Sequence, residues 1–307
     1  MTATVAWSPA AIVKCPDLTP GDGEGADWAR AGTGLRARSA LRVMALPVQL
    51  VSTDFDGTIF AEFESPPVAR AFEEVIAAFQ AHGAKWVINT GRDLSSLMET
   101  LGRAHLRVRP DFLILVEREL YRHDGVSYVG VDPWNRQCAE VHAALFERVR
   151  PDLPRLTAWI NAHFDAMVYE DAFSPFCLIA RENGDANTIC QYLNEYCRGM
   201  PGLTLVRNDV YARLSHVGYS KGTALQELTR MLGLTSERVF AAGDHLNDLP
   251  MLRREVARWL LCPANAEPEV REQVITQGGE VSELRHGYAV AAALERWLRP
   301  EDPAATS

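Results

Sequence analysis

No apolar run in this chain approaches the roughly 20 residues that cross a bilayer, so a membrane-spanning protein is not expected. The N-terminus lacks a basic stretch followed by a long apolar core, which argues against a secretory leader. Cysteine is sparse. Cys15, Cys138, Cys177, Cys190, Cys197 and Cys262 are dispersed, and no two are spaced as a CxxC redox pair or a metal knuckle. Such cysteines read as reduced, mostly buried residues of a cytoplasmic protein. Positive charge is also short: 31 Lys and Arg against 40 Asp and Glu give a net charge of -9. That excludes a general nucleic-acid binder, which needs a basic surface, but leaves room for a local basic pocket that takes a small anion. There is no internal repeat.

What the chain does have is 307 residues, 47% of them hydrophobic, enough for one large or two ordinary globular domains. Residues 1–45 hold scattered Pro and Gly with no sustained period, and read as a disordered extension. Initiation at Met44 is the sharper alternative for that segment. From Pro47 onward, short apolar runs alternate with helical patterns. Strands are expected at 48–53, 85–89 and 112–116, with helices at 68–82, ending at Gly83, and 94–101. The rhythm returns with a helix at 222–232, strands at 239–242 and 259–262, and a helix ending near Trp297. Short continuous apolar strands alternating with helices imply a parallel sheet covered on both faces. Between these halves lie helices at 139–149, 156–163 and 187–198, and strands at 166–170 and 176–181. Strands at 203–207 and 210–215 flank an Asn208-Asp209 turn. The reading is an α/β fold: a doubly wound, Rossmann-like core over 46–120 and 216–299, an inserted α+β cap over 121–215, and a flexible tail over 300–307.

Four polar clusters fall at strand ends or helix starts. The first is Asp54-Phe55-Asp56-Gly57-Thr58, directly after the first apolar run. Two carboxylates two residues apart at the exit of a buried strand are costly unless a cation lies between them. The second, Asn89-Thr90-Gly91-Arg92, offers a hydroxyl, a close-approaching amide and a forked cation suited to phosphate. The third, Ser220-Lys221-Gly222-Thr223, puts a Lys at a helix N-terminus, against the macrodipole, which is tolerable if it faces an anion. The fourth is Gly243-Asp244-His245-Leu246-Asn247-Asp248. Taken singly each has a plain reading: a capping Asp in an Asp-Gly turn, a Thr N-cap, a solvated Lys, a polar loop. Together they bring up to four carboxylates, a Lys, an Arg and a Thr to one rim of one sheet, where open α/β sheets bind ligands. Carboxylates with few other ligands suit Mg²⁺ beside a substrate phosphate.

Asp54-x-Asp56-Gly-Thr, Thr90-Gly-Arg, Lys221 and Gly243-Asp244-x-x-Asn247-Asp248 resemble the four ordered motifs of the haloacid dehalogenase-like phosphatases. The resemblance covers about residues 47–298. The long gap between the second and third motifs resembles the members whose cap follows the second motif, the Cof-like and sucrose-phosphate phosphatase-like group. It implies that Asp54 is the nucleophile and forms an aspartyl-phosphate, while Asp56 protonates the leaving alcohol and then activates water. It implies Mg²⁺ held by Asp54, the Asp56 carbonyl and Asp244, with Asp248 orienting metal-bound water or Lys221. Thr90, Gly91, Arg92, Lys221 and Asn247 are the implied phosphate-side residues. The implied substrate is a small phosphorylated metabolite, a sugar phosphate by analogy with the group. No nucleic-acid or membrane partner is expected, and the chain would act as a monomer or homodimer. A phosphomannomutase-like phosphomutase and a non-catalytic phospho-ligand sensor are the competing readings. Two departures stand out. Relatives carry a small Gly-containing turn where this chain has Glu117-Arg118-Glu119, and Gly-Asn-Ala where it has Ala264-Asn265-Ala266. In the insert, Trp134, Arg181 and Arg207 are candidates to contact a sugar or a second anion, although core packing or a solvated surface is the better account of each.

Overall fold

The structure, a computed structural model, describes residues 46–298. The expected N-terminal extension, the Met44 start and the tail at 300–307 lie outside the described residues. The first half of the core runs β1 (Leu50–Thr53), α1 (Arg70–Ala81), β2 (Lys85–Asn89), α2 (Leu94–Ala104), β3 (Phe112–Leu115), β4 (Glu119–His123) and β5 (Tyr128–Gly130). The insert follows as α3 (Trp134–Val149), α4 (Leu153–His163), β6 (Ala166–Tyr169), β7 (Cys177–Ala180), α5 (Asn183–Arg198), β8 (Leu203–Asn208) and β9 (Tyr211–His216). The core resumes with α6 (Lys221–Met231), β10 (Val239–Ala242), β11 (Trp259–Cys262), α7 (Pro268–Thr276), β12 (Glu280–Val281) and α8 (His286–Leu298).

The large sheet has the order β12-β11-β10-β1-β2-β3-β4-β5, and the strands from β12 to β3 are parallel. Strand alternation assigns the two faces. Val51, Trp86, Ile88 and Leu113 pack under α1, α2 and α8. Leu50, Val87, Ile114 and Val239 pack under α6 and α7. Both faces are covered, which is why these strands read as unbroken apolar runs.

One expected boundary needs correction. The core was drawn to end at residue 120, but β4 and β5 pair antiparallel with β3 and with each other as the last two strands of the core sheet. A line at 120 cuts through β4. The Asp124-Gly125 turn, with Gly125 at φ 109°, closes this hairpin, and Asp124 Oδ1 accepts from the amides of Val126 and Ser127. The insert therefore leaves the core only at α3. Its own sheet has the order β6-β7-β9-β8, all antiparallel. One face of that sheet packs on α3, α4 and α5 through Leu145, Ile160, Leu178, Ile189 and Leu214. Among the described residues no helix is long and apolar enough to cross a membrane.

Where α6 enters the core, space is tight. A Cβ on Gly222 would lie 2.1 Å from the Pro250 carbonyl oxygen, whereas one on Gly102, within α2, would meet nothing within 4 Å. Gly222→Ala is therefore expected to cost about 1–3 kcal/mol and lower the thermal midpoint. Gly102→Ala should stabilise by about 0.5–1 kcal/mol, because it restricts the unfolded chain without a clash. Calorimetric melts of the two variants check the pair, and equal shifts would contradict the packing seen at Gly222.

Candidate active site

The exit of β1 carries Asp54, whose amide extends the sheet by donating to Ala242 O at 2.9 Å. The chain then turns at Gly57, at φ 80°, where a Cβ would lie 2.2 Å from Asp244 Oδ2. Only glycine lets the loops after β1 and β10 close to this distance. Thr58 Oγ1 donates to Asp244 Oδ1 at 2.7 Å. Asn265 Nδ2 and the His286 ring both reach Gly57 O at 2.8 Å and hold the turn from the other side.

Lys221 is fully buried, and its Nζ donates to Asp54 Oδ1 and Asp248 Oδ1, each at 2.6 Å. The start of α6 places it there. Ser220 and Thr223 form a capping box, with Thr223 N donating to Ser220 Oγ and Ser220 N to Thr223 Oγ1. Burial opposes the charge on Lys221, but Asp248, Asp54 and Glu117 outweigh it and hold the ammonium charged far above neutral pH. Asp54 shows the opposite balance. Burial pushes its carboxyl up, Lys221 pulls it down, and Asp248 and Asp244 push it up again. Burial, reinforced by Asp248, likewise raises Asp244 to about 7.

Asp54, Asp244 and Asp248 each bring a carboxylate oxygen within 4.8 Å of the others. Three buried carboxylates against one lysine leave net negative charge in a poorly solvated place, an arrangement that fits a divalent cation. The three differ in what they can give it. Both oxygens of Asp248 are engaged, Oδ1 by Lys221 and Oδ2 by the amides of Asp244 and His245 at 2.8 and 3.0 Å. Asp248 shapes the loop and holds Lys221, which leaves Asp54 and Asp244 as the carboxylates that could face a cation. The Asp56 side chain stands apart from this group.

Arg92 closes on Asp56. Its Nε and Nη2 donate to the two oxygens of Asp56 at 2.7 Å each, and its Nη1 donates to Ser96 Oγ and Thr100 Oγ1. The fork expected to face phosphate is thus occupied by a carboxylate. Asn247, also expected on the phosphate side, gives its Nδ2 to Glu117 Oε1 at 3.0 Å. Thr90 Oγ1 accepts from the Arg92 amide at 3.2 Å, which keeps its O–H to donate, and Gly91 N–H has no partner among the described residues. Thr90 and Gly91 are the donors open to an oxyanion.

Sequence reading did not single out Glu117 for the site, nor Asn265 or His286. Val116 and Glu117 adopt φ values of 43° and 69°, the left-handed conformation that favours Gly. The turn is pinned by the second-motif loop, since Val116 N donates to Arg92 O and Glu117 N to Thr90 O. The departure from the Gly-containing turn was the available signal. Of the insert candidates, Trp134 donates to Arg118 O at 2.7 Å, Arg181 pairs with Asp165 at the surface, and Arg207 bonds Asn183 and Asn187.

A family model described as haloacid dehalogenase-like hydrolase matches residues 161–280. The four motifs converge on one rim with Lys221 between the two aspartates. In that stretch and in these motifs the chain is similar to the haloacid dehalogenase-like hydrolases. A phosphoglycolate phosphatase of Methanothermobacter thermautotrophicus is 35% identical over 85 residues, 28% of this chain. This chain spans about a third of that relative's length, 36%. The 5-amino-6-(5-phospho-D-ribitylamino)uracil phosphatase YcsE of Bacillus subtilis is 24% identical over 268 residues, 82% of this chain and 96% of the relative. Among solved structures, the sucrose-phosphatase of Synechocystis sp. PCC6803, in complex with sucrose and phosphate, superposes with a TM-score of 0.61 at 19% identity. That match covers 81% of this chain and 98% of the other.

Replacing Lys221 by Met would leave Asp54 and Asp248 buried without their shared partner. Breaking a buried pair in this way typically costs about 3–5 kcal/mol. Guanidinium unfolding of Lys221→Met should show a loss of that order, and a stability within 1 kcal/mol of the parent would mean that the lysine is not what holds the cluster.

Proposed function

We propose that this hydrolase is a Mg²⁺-dependent phosphatase acting on a small phosphorylated metabolite, a sugar phosphate, through an aspartyl-phosphate on Asp54. The observation that carries this reading is Asp54 itself. It is a nearly buried carboxylate at a strand end, tied by one oxygen to a buried lysine, with its other oxygen unbonded among the described residues. The phosphatase names of the relatives support the same reading.

In the proposed reaction, Thr90 Oγ1 and the Gly91 amide donate to the phosphoryl oxygens and orient phosphorus toward Asp54. The free Asp54 oxygen attacks phosphorus as the bond to the leaving oxygen breaks, and Asp56 delivers a proton to that oxygen. A water then attacks the aspartyl-phosphate, Asp56 takes its proton, and Asp54 is regenerated with release of inorganic phosphate. Lys221 opposes the rise that burial imposes on the Asp54 carboxyl and aims it. Arg92 fixes the Asp56 carboxylate at the mouth of the site through two parallel bonds. Asp54 and Asp244 would hold Mg²⁺, which supplies neutralisation of the charge shared by carboxylates and phosphate. We place the protein in the cytoplasm, on its dispersed cysteines and the absence of a membrane-spanning helix among the described residues.

Phosphate release from a panel of sugar phosphates, with Mg²⁺ and without a bisphosphate activator, tests the reading. Asp54→Asn should lower turnover on the order of 10⁴-fold or more while the fold survives, and Asp56→Asn should lower it ~10²–10⁴-fold. No release from any substrate by the parent would overturn it, and release only with a bisphosphate would favour a mutase. The raised carboxyl of Asp244 makes a separate prediction. Its folded-state value of about 7 lies above the 3.8 of an unfolded chain, so the metal-free fold gains stability from this group at low pH and loses it as pH rises toward 7. A cation must displace that proton, so Mg²⁺ affinity should rise up to about pH 7 and flatten above it. Titration calorimetry in buffers of different ionisation heat reads the released protons, and Asp244→Asn should reduce the proton release and remove most of the affinity.

A further inference from the structure

Between the catalytic loops and the open face of the insert's sheet lies a cavity of about 640 Å³. Its core wall includes Asp56, Thr90, Gly91 and Arg92. Its opposite wall is built on a cross-strand row of the insert, with Asn208 and Asp209 of the β8–β9 turn beside it. Tyr169 on β6 pairs with Cys177 on β7, Cys177 with Arg213 on β9, and Arg213 with Val206 on β8. All four line the cavity. Tyr211, two residues before Arg213 and hence on the same face, lines it too. The intervening Ala212 and the following Leu214 belong to the apolar core on the other face, so the register that buries them aims Arg213 at the phosphate cradle.

Arg213 is the only charged residue of that row, and its side chain is 24% exposed. Its Nη1 is buried and has no hydrogen-bond partner. Asp171 Oδ2 stands 3.9 Å from it, a loose ion pair beyond hydrogen-bond reach, while Asp171 Oδ1 accepts from the amides of Phe173 and Ser174. A second guanidinium lies on the same face. Arg118, 4% exposed, donates to Phe173 O and to Ser215 Oγ, two residues along β9 from Arg213, and its buried Nε has no partner. Of the carboxylates that line the cavity, Asp56 is held by Arg92, Glu117 by Asn247 and Asp209 by Asn183, while Glu62 is exposed to solvent. A half-buried guanidinium whose buried Nη1 has no hydrogen-bond partner leaves a donor that an anion could complete.

We propose that the insert reads a second anionic group on the substrate, a carboxylate or a second phosphate, through the guanidinium of Arg213. The proposal rests on the phosphatase reading above and narrows its substrate class from sugar phosphates at large to those with a charged leaving group. With the phosphoryl group at Thr90 and Gly91, the leaving group fills the cavity toward β9, and its far anion takes the open donor of Arg213 with Tyr169 and Tyr211 alongside.

Two matched substrate pairs test this. Phosphate release is compared for 6-phosphogluconate against sorbitol 6-phosphate, and for fructose 1,6-bisphosphate against fructose 6-phosphate. In each pair one member adds only the second anion. The expected result is a kcat/KM ratio of roughly tenfold or more in favour of the anionic member of at least one pair, on the scale of one charged hydrogen bond. The favoured pair shows whether a carboxylate or a phosphate is read. Arg213→Gln should bring that ratio close to one, and Arg213→Lys should keep part of it, with melts of both variants confirming the fold. A ratio near one in the parent, or a ratio unchanged in Arg213→Gln, overturns the proposal. Failure of the phosphatase reading looks different: none of the four compounds, nor p-nitrophenyl phosphate, releases phosphate. Calorimetric titration of the same four compounds into Asp54→Asn protein then decides. Tighter binding of an anionic member, lost on adding Arg213→Gln, sustains the anion site, and equal binding of both members removes it.

Discussion

The contact on which the rest of this site depends is the buried ammonium of Lys221 between Asp54 and Asp248. It joins two loops that are far apart in sequence and each rich in carboxylate. Without a cation there, the ends of β1 and β10 would present like charges to each other in a poorly solvated cleft, and the parallel pairing that brings them together would be opposed by its own side chains. The lysine can do this only because α6 starts where it does. Its N-terminus would ordinarily repel a cation, and the capping box at Ser220 and Thr223 together with the close approach at Gly222 hold it in place against that cost.

The glycines and the left-handed turn belong to the same constraint. Gly57 and Gly243 are the points where a Cβ would strike the carboxylates of Asp244 and Asp248. They let backbone come close enough for amides and carboxylates to share one small volume. Val116 and Glu117 reach left-handed geometry without glycine because the loop after β2 pins their amides and Asn247 anchors the Glu117 carboxylate. Strain of this kind persists where neighbours over-determine it, which is the situation beside the phosphate cradle.

Much of this could be read from the sequence, for a physical reason. Catalytic loops at the carboxyl ends of parallel strands are local: an apolar run followed at once by Asp, Thr or Gly-Asp reports both the strand and the polar group at its end. Asp54, Thr90 and Asp244 were legible in that way. Lys221 was legible through its mismatch with a helix start. What stayed hidden depends on distant partners. The β4–β5 hairpin was concealed because its polar, half-exposed strands lack an apolar run. Asn265 and His286 reach the site only through the folding back of the chain after β11. Arg213 is the clearest case. The run from Val210 to Ser215 reads as a strand, but nothing local says which of its two faces will look at the catalytic loops. Arg207 and Arg181, equally plausible by composition, are bonded to Asn and Asp side chains of the insert itself.

This division also says where discrimination between substrates must reside. On the core wall, Lys221 and Arg92 spend most of their donors on protein groups. In the proposed reaction the remaining donors, Thr90 and Gly91, would meet a phosphoryl group that every phosphorylated metabolite carries, so they would bind all such substrates alike and could not rank them. Ranking requires a group whose interaction differs between leaving alcohols, and it must be placed beyond the phosphorus. The open face of the insert's sheet meets both conditions, because its register turns a tyrosine–arginine row toward the cavity while its other face is fixed by apolar packing on three helices. A change of leaving-group preference within this scaffold therefore needs only substitutions at alternate positions of β6, β7 and β9, which leave the lysine-centred cluster and the sheet beneath it untouched.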